Sequence, residues 1–227
     1  MNNVPVITID GPSGAGKGTV ARLLSERLGY HLLDSGAVYR AAGLHAVRSG
    51  ADLDDESSVM ACLVSMDAVF KPHPTGVHVY LAGADITLQL RNESTASAAS
   101  KVAVMPRVRA ALLDEQRSFR IDPGLVADGR DMGTAVFPDA ELKVFLSATA
   151  EVRAGRRAKQ LKEKGIQVNM ESLIQDIAAR DERDSSREHS PLMAANDALV
   201  IDSSELPVAR VVQQILAALP ADVGVPT

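Results

Sequence analysis

Cysteine is nearly absent from this 227-residue chain. Cys62 stands alone, so no internal disulfide can form, which fits a reducing compartment. As a solitary thiol it reads as a small hydrophobe or an idle group, not a nucleophile. No apolar run is long enough to span a bilayer, and the first residues lack the basic and apolar regions of a signal peptide. A cytoplasmic location is therefore expected. Polybasic tracts are missing as well, and the net charge is −5. That weighs against a broad nucleic-acid-binding face, which needs many phosphate neutralisations. The five histidines, His189 among them, show no metal-ligand spacing and receive no role. There is no internal repeat and no low-complexity segment beyond a tail after Pro220 that is expected to fray. Long apolar patches and coiled-coil patterns are also lacking, so a monomer is expected.

What is present is ordinary in bulk: 46% hydrophobic and 23% charged residues, enough for one substantial domain or a core carrying an insertion. Of the 24 basic residues 17 are arginine, the side chain suited to two-pronged phosphate contacts. The apolar run Val4 to Ile9, ending at Asp10, predicts a buried parallel strand. A glycine-rich turn and a helix from Lys17 to Leu28 follow, then a strand over Tyr30 to Leu33, a helix ending near Gly50 and another over Asp55 to Met66. From Val69 to Thr87, short alternating runs broken by Pro72, Pro74, Gly76 and Gly83 predict a small antiparallel meander. Helices are expected over Glu93 to Val104 and from Pro106 to Phe119. Strands at Leu125 to Ala127, Leu142 to Leu146 and Ala198 to Ile201 then alternate with helices at Glu151 to Lys164, Met170 to Arg187 and Val208 to Leu219. The rhythm predicts an α/β fold: an open parallel five-stranded sheet with helices on both faces.

Gly11, Pro12, Ser13, Gly14, Ala15, Gly16 and Lys17 fit the G-x-x-x-x-G-K phosphate-binding pattern between a strand and a helix. Glycines let successive backbone N–H groups converge on an anion, the helix start adds its positive dipole, and the lysine ammonium reaches terminal phosphates. The competing reading is a glycine-rich turn with a chance lysine. Where the generic pattern has Ser or Thr after the lysine, Gly18 intervenes before Thr19. Direct metal contact by Thr19 and contact with phosphate and water alone both stay open. Asp128, ending an apolar strand, is the natural carboxylate for Mg²⁺ or its waters, against the alternative of a plain turn aspartate. On the predicted helix Met170 to Arg187, the residues Leu173, Ile177, Arg180, Asp184 and Arg187 share one stripe. Two arginines flanking an aspartate could bind phosphate and a ribose hydroxyl. The alternative is a solvated face with i,i+4 pairs, Asp176 with Arg180 and Arg180 with Asp184. No guanine-reading N-K-x-D stretch occurs, which weighs against a GTPase.

Four segments occur together and in order: residues 9–19 (IDGPSGAGKGT), 32–40 (LLDSGAVYR), 127–134 (ADGRDMGT) and 180–184 (RDERD). With them the chain resembles the bacterial cytidylate kinases, P-loop nucleoside monophosphate kinases, from about Val6 to Asp202. The resemblance implies ATP-dependent phosphorylation of CMP and dCMP with Mg²⁺. It implies catalytic roles for Lys17, Arg130, Arg187, Arg157 and Asp128, and acceptor contacts from Ser35, Arg40, Arg130 and Arg187. It implies that Arg180 and Asp184 face the ribose and that Ser100, Arg109 and Asp131 read cytosine. It also implies a core over 1–66 and 106–227, a monophosphate-binding insertion over 67–105 and a short lid near 156–168. Arg153, Arg156 and Arg157 are all candidates for the transferring phosphoryl group. A kinase for UMP, AMP or a metabolite hydroxyl is the nearest alternative, and a nucleotide-dependent switch protein a more distant one.

Overall fold

A computed structural model describes residues 4–73, 76–163, 165, 167–188, 190–221 and 223. The expectations for Pro74, for Lys164 in the lid stretch, for His189 and for the last four residues of the tail fall outside these.

Five strands, β1 (Val6–Asp10), β2 (His31–Asp34), β6 (Leu125–Asp128), β7 (Leu142–Ser147) and β8 (Leu199–Asp202), form one sheet in the order β2-β6-β1-β7-β8. Every pairing is parallel. All five residues of β1 are buried, as its near-continuous apolar run requires of a central parallel strand. One face packs through Val6, Leu33, Leu125 and Ala127 against α2 (Ser35–Arg48), α3 (Glu56–Leu63), α4 (Glu93–Val102) and α5 (Pro106–Arg117). The other packs through Ile7, Ile9, Val126, Val144 and Ile201 against α1 (Lys17–Leu28) and α8 (Val208–Ala217). Cover thins at the edge strand β8, where Val200 is exposed.

The predicted meander is a separate antiparallel sheet, β3 (Ala68–His73), β4 (Gly76–Leu81) and β5 (Ala84–Asp85). Val79, Leu81, Ile86 and Leu90 bind it to Ala37 and Ala41 of α2. Helix α4 crosses α2 so closely at Gly43 that a Cβ there would lie 2.8 Å from the Ala99 nitrogen. This crossing sets Ser100 on α4 against the core.

Several helix ends depart from expectation by one to three residues, and two of these departures have a visible cause. Helix α3 starts at Glu56 because Asp55 is its cap, accepting from the Ser57 and Ser58 amides. Helix α7 (Met170–Ser185) stops before Arg187. Ser185 turns its hydroxyl back to the Asp181 carbonyl at 2.8 Å, a local competitor of helix propagation. Arg187 therefore leaves the helical stripe. Two short turns were not anticipated: a 3₁₀ turn at Gln89–Arg91 and a π-helical turn at Met132–Val136.

Candidate active site

The parallel register aligns Asp34, Asp128 and Ile9 across neighbouring strands, so Asp10, Asp34 and Asp128 crowd the carboxyl edge of the sheet. Ligands of open α/β sheets bind at this edge. The Gly11–Lys17 turn leaves β1 there. Gly11 has φ 143°, and a Cβ on it would stand 2.0 Å from the Leu146 carbonyl oxygen, so only glycine fits beside β7.

The turn is held by its carbonyls. Lys17 Nζ donates to the Pro12 carbonyl (2.9 Å), Arg153 to that of Ser13 (3.2 Å), and Arg156 and Ser203 to that of Ala15 (3.1 and 3.0 Å). Because a trans peptide sets its C=O and N–H on opposite sides, the Gly14 and Gly16 amides point away from these partners. Helix α1 also begins without a side-chain cap. The uncapped amides and the helix dipole together make an anion cradle.

Lys17 is buried, with Nζ 3.8 Å from Asp128 Oδ1. Burial, then the charge of Arg130, lower its pKa to about 7, with Asp128 and Asp10 opposing. Burial raises Asp128 to about 6 against the pull of Lys17. Gly18 has a physical reason: a Cβ there would come within 3.2 Å of Asp128 Oδ2. The Asp128 carboxylate, the exposed Thr19, Asp34 and Arg40 border a cavity of about 250 Å³ beneath the three-stranded sheet. The carboxylates and the Thr19 hydroxyl are hard oxygen donors that suit Mg²⁺, which takes one or two protein carboxylates and completes its shell with phosphate and water.

A second cavity, about 260 Å³, is bordered by Tyr39, Arg109, Gln116, Asp131 and Val136. Asp131 and Arg109 form a buried ion pair, and the Arg109 guanidinium lies 5.8 Å from the centre of the Tyr39 ring. The Ser100 hydroxyl is buried without a hydrogen-bond partner among the described residues. Asp184 takes Arg130 Nε on one oxygen (2.9 Å) and Arg187 on the other. Burial pushes its pKa up, but Arg130 and Arg187 outweigh that and leave it lowered. Local i,i+4 pairing therefore does not explain Asp184. The Arg180 and Arg187 Nε atoms are buried without hydrogen-bond partners among the described residues. Burial and Arg130 lower Arg180 to about 10, so it stays charged at neutral pH.

The structure thus gathers Lys17, Asp128, Thr19 and Arg40 in one group, Arg130, Arg187 and Asp184 in a second, and Arg109 with Asp131 in a third. Ser35 is buried and donates to Gln116 Oε1 at 2.9 Å. Among the three candidate arginines on α6 (Ala150–Glu163), Arg153 and Arg156 are occupied as struts. Arg153 also pairs with Asp181 on α7 at 2.5 Å. Arg157 instead pairs with Glu93, at the start of α4. Sequence reasoning missed Asp10, Gln116, Ser203 and Glu93. Of these only Asp10 left a signal, a charge terminating an apolar strand.

Comparison with known proteins matches this arrangement. Residues 7–221 match the sequence model of the family described as Cytidylate kinase. The cytidylate kinase of Aeromonas salmonicida (strain A449) is 53% identical over 94% of this chain and 93% of its own length. That of Methylococcus capsulatus is 54% identical over 96% and 97%, and that of Photobacterium profundum 53% over 95% and 94%. With nearly the whole chain matched at this identity, and with the phosphate-binding turn and its arginines assembled at one sheet edge, the chain belongs to the cytidylate kinase family.

Proposed function

We propose that this protein transfers the γ-phosphoryl group of ATP to CMP and dCMP by direct in-line displacement. The observation that carries the acceptor assignment is the buried Arg109–Asp131 pair at the wall of the second cavity. Cytosine offers an N4 amine and acceptors at N3 and O2. A carboxylate can accept from the amine while Arg109 and the unpartnered Ser100 hydroxyl donate to the ring. Uracil reverses the pattern and would set its O4 against Asp131, a mismatch of about 1–3 kcal/mol. In this reading Ser35, Arg40, Arg130 and Arg187 hold the acceptor phosphate, and Arg180 and Asp184 face the ribose. The phosphate-binding turn from Gly11 to Thr19 holds ATP. Residues 67–105 act as the monophosphate-binding insertion, 1–66 and 106–227 as the core and about 156–168 as its lid. The protein works as a cytoplasmic monomer.

No general base is needed, since the acceptor phosphate oxygen is ionised near neutral pH. Catalysis comes from alignment and from charge neutralisation by Lys17, Arg130, Arg187 and Arg157. Asp128, directly or through water, and Thr19 would hold Mg²⁺, which supplies further neutralisation of the phosphates. Insertion and lid exclude water, which would otherwise hydrolyse ATP. A coupled ADP-release assay across CMP, dCMP, UMP, AMP and GMP tests the proposal. Turnover is expected with CMP and dCMP well ahead of UMP. Strong turnover with AMP and none with CMP would sink it.

The candidate arginines of α6 separate by experiment. Arg157→Ala is expected to lower kcat roughly 10²-fold with little change in melting temperature, because its pair with the exposed Glu93 contributes little. Arg153→Ala removes a buried strut to Ser13, Ala148 and Asp181 and should lower the melting temperature by roughly 5 °C or more. Thermal melts and steady-state kinetics on the two variants would expose a reversed assignment.

A further inference from the structure

The carboxylate of Asp10 closes the strand that leads into the phosphate-binding turn and feels the charge of Lys17, yet its hydrogen bonds go elsewhere. It is 5% exposed, and its two oxygens each accept one backbone amide: Met132 N on Oδ1 and Gly133 N on Oδ2, both at 2.8 Å. Those amides open the π-helical turn Met132–Val136, where the first N–H groups of a helical segment have no partner within it. Ordinarily the residue in the capping position supplies the acceptor, and aspartate is among the residues that do so best. That position is held by Asp131, whose side chain makes no capping bond. Its carboxylate turns the other way, onto Arg109 at the wall of the cavity.

We infer that Asp10 is a positioning residue for acceptor choice: by capping the Met132–Val136 turn from another strand, it releases Asp131 from capping so that Asp131 can face the acceptor base. The inference rests on the reading that Asp131 reads that base. A burial that raises Asp10 to about 7, against two amides that lower it, shows how costly a carboxylate is here. Apolar residues fill the rest of β1 apart from Thr8, so the strand itself gives no reason for a charge at its end. Without Asp10, the Met132 and Gly133 amides would be buried donors in need of an acceptor, and the nearest in sequence is Asp131. Once recruited, Asp131 would leave Arg109 and lose its bearing on the base.

Asp10→Asn is nearly isosteric but sets an amide N–H against one of the two backbone donors. On the order of a tenfold fall in the CMP-over-UMP ratio of kcat/KM is expected, with KM for ATP little changed. Asp131→Ala, run beside it, should lower the same ratio. Loss of selectivity in Asp131→Ala but not in Asp10→Asn overturns the inference and leaves the base reading intact. An unchanged ratio in Asp131→Ala defeats the base reading itself. Equal losses for CMP, UMP and ATP in Asp10→Asn would show that Asp10 only supports the phosphate-binding turn. Should Asp10→Asn not fold, hydrogen exchange on Asp131→Ala decides: the Met132 and Gly133 amides are expected to stay protected. Their rapid exchange would mean that Asp131 supplies the cap, contrary to the inference.

Discussion

Replacing Asp131 by alanine is expected to lower kcat/KM for CMP by roughly 10²- to 10³-fold while KM for ATP changes little. Two losses add. The acceptor for the cytosine amine disappears, and the Arg109 guanidinium is left buried without its carboxylate. Arg109 is only 11% exposed and Asp131 4% by side chain, so solvent cannot replace the missing charge. Removing one partner of such a pair costs more than the pair contributes, because the survivor is stranded in a medium of low polarity. Arg187 already feels Arg109 unfavourably and Asp131 favourably, so the stranded charge would also disturb the neighbour assigned to the acceptor phosphate. Asp131→Asn sharpens the test. Its amide can donate as well as accept, so UMP should recover relative to CMP. Steady-state kinetics with CMP, UMP and varied ATP measure both effects, and equal damage to CMP and ATP parameters would remove Asp131 from base recognition.

Much of this site was legible because its chemistry is local in sequence. The turn from Gly11 to Thr19 needs one strand end, four glycines and a helix start, all within a dozen residues, and α1 spans the predicted Lys17 to Leu28. The βα rhythm yielded the five-stranded sheet for the same reason, since each strand's burial is written in its own apolar run. What was hidden depends on distant partners. Asp184 could be seen on a helix stripe between Arg180 and Arg187, but its pairing with Arg130 crosses 54 positions, and a local pattern offers only neighbours on the same stripe. The Arg153 and Arg156 side chains lie in the same basic cluster as Arg157. Only the fold shows that the first two are bound to carbonyls of a turn some 140 positions away. The Met132–Val136 turn escaped notice because its cap is contributed by Asp10, 122 positions upstream of Met132. Gly18 reads in the sequence as a departure from the generic pattern, and only the fold shows that a Cβ there would come 3.2 Å from Asp128 Oδ2.

Replacing Lys17 by methionine is expected to lower kcat by roughly 10³-fold or more, since it deletes the charge closest to the phosphate-binding turn. Methionine keeps the length and apolar stem of the side chain, so the fold should tolerate it. The lysine also predicts a pH dependence whose sign follows from its surroundings. Burial and Arg130 lower its pKa from 10.5 to about 7. Between those values the folded protein binds fewer protons here than the unfolded chain does. The stability of the ligand-free protein therefore gains from Lys17 as pH rises through that window, a contribution that Lys17→Met lacks. ATP has the opposite preference. Its phosphates favour the ammonium form, so binding takes up a proton, and kcat/KM for ATP should fall as pH climbs above about 7. On the acid side the carboxylate of Asp128, raised to about 6, is lost as pH drops, and with it the hold on Mg²⁺. Because the two groups sit 3.8 Å apart, both limbs belong to the pair. A profile of kcat/KM for ATP from pH 5 to 9 should therefore be bell-shaped, and a flat alkaline limb would mean that Lys17 meets ATP already fully charged.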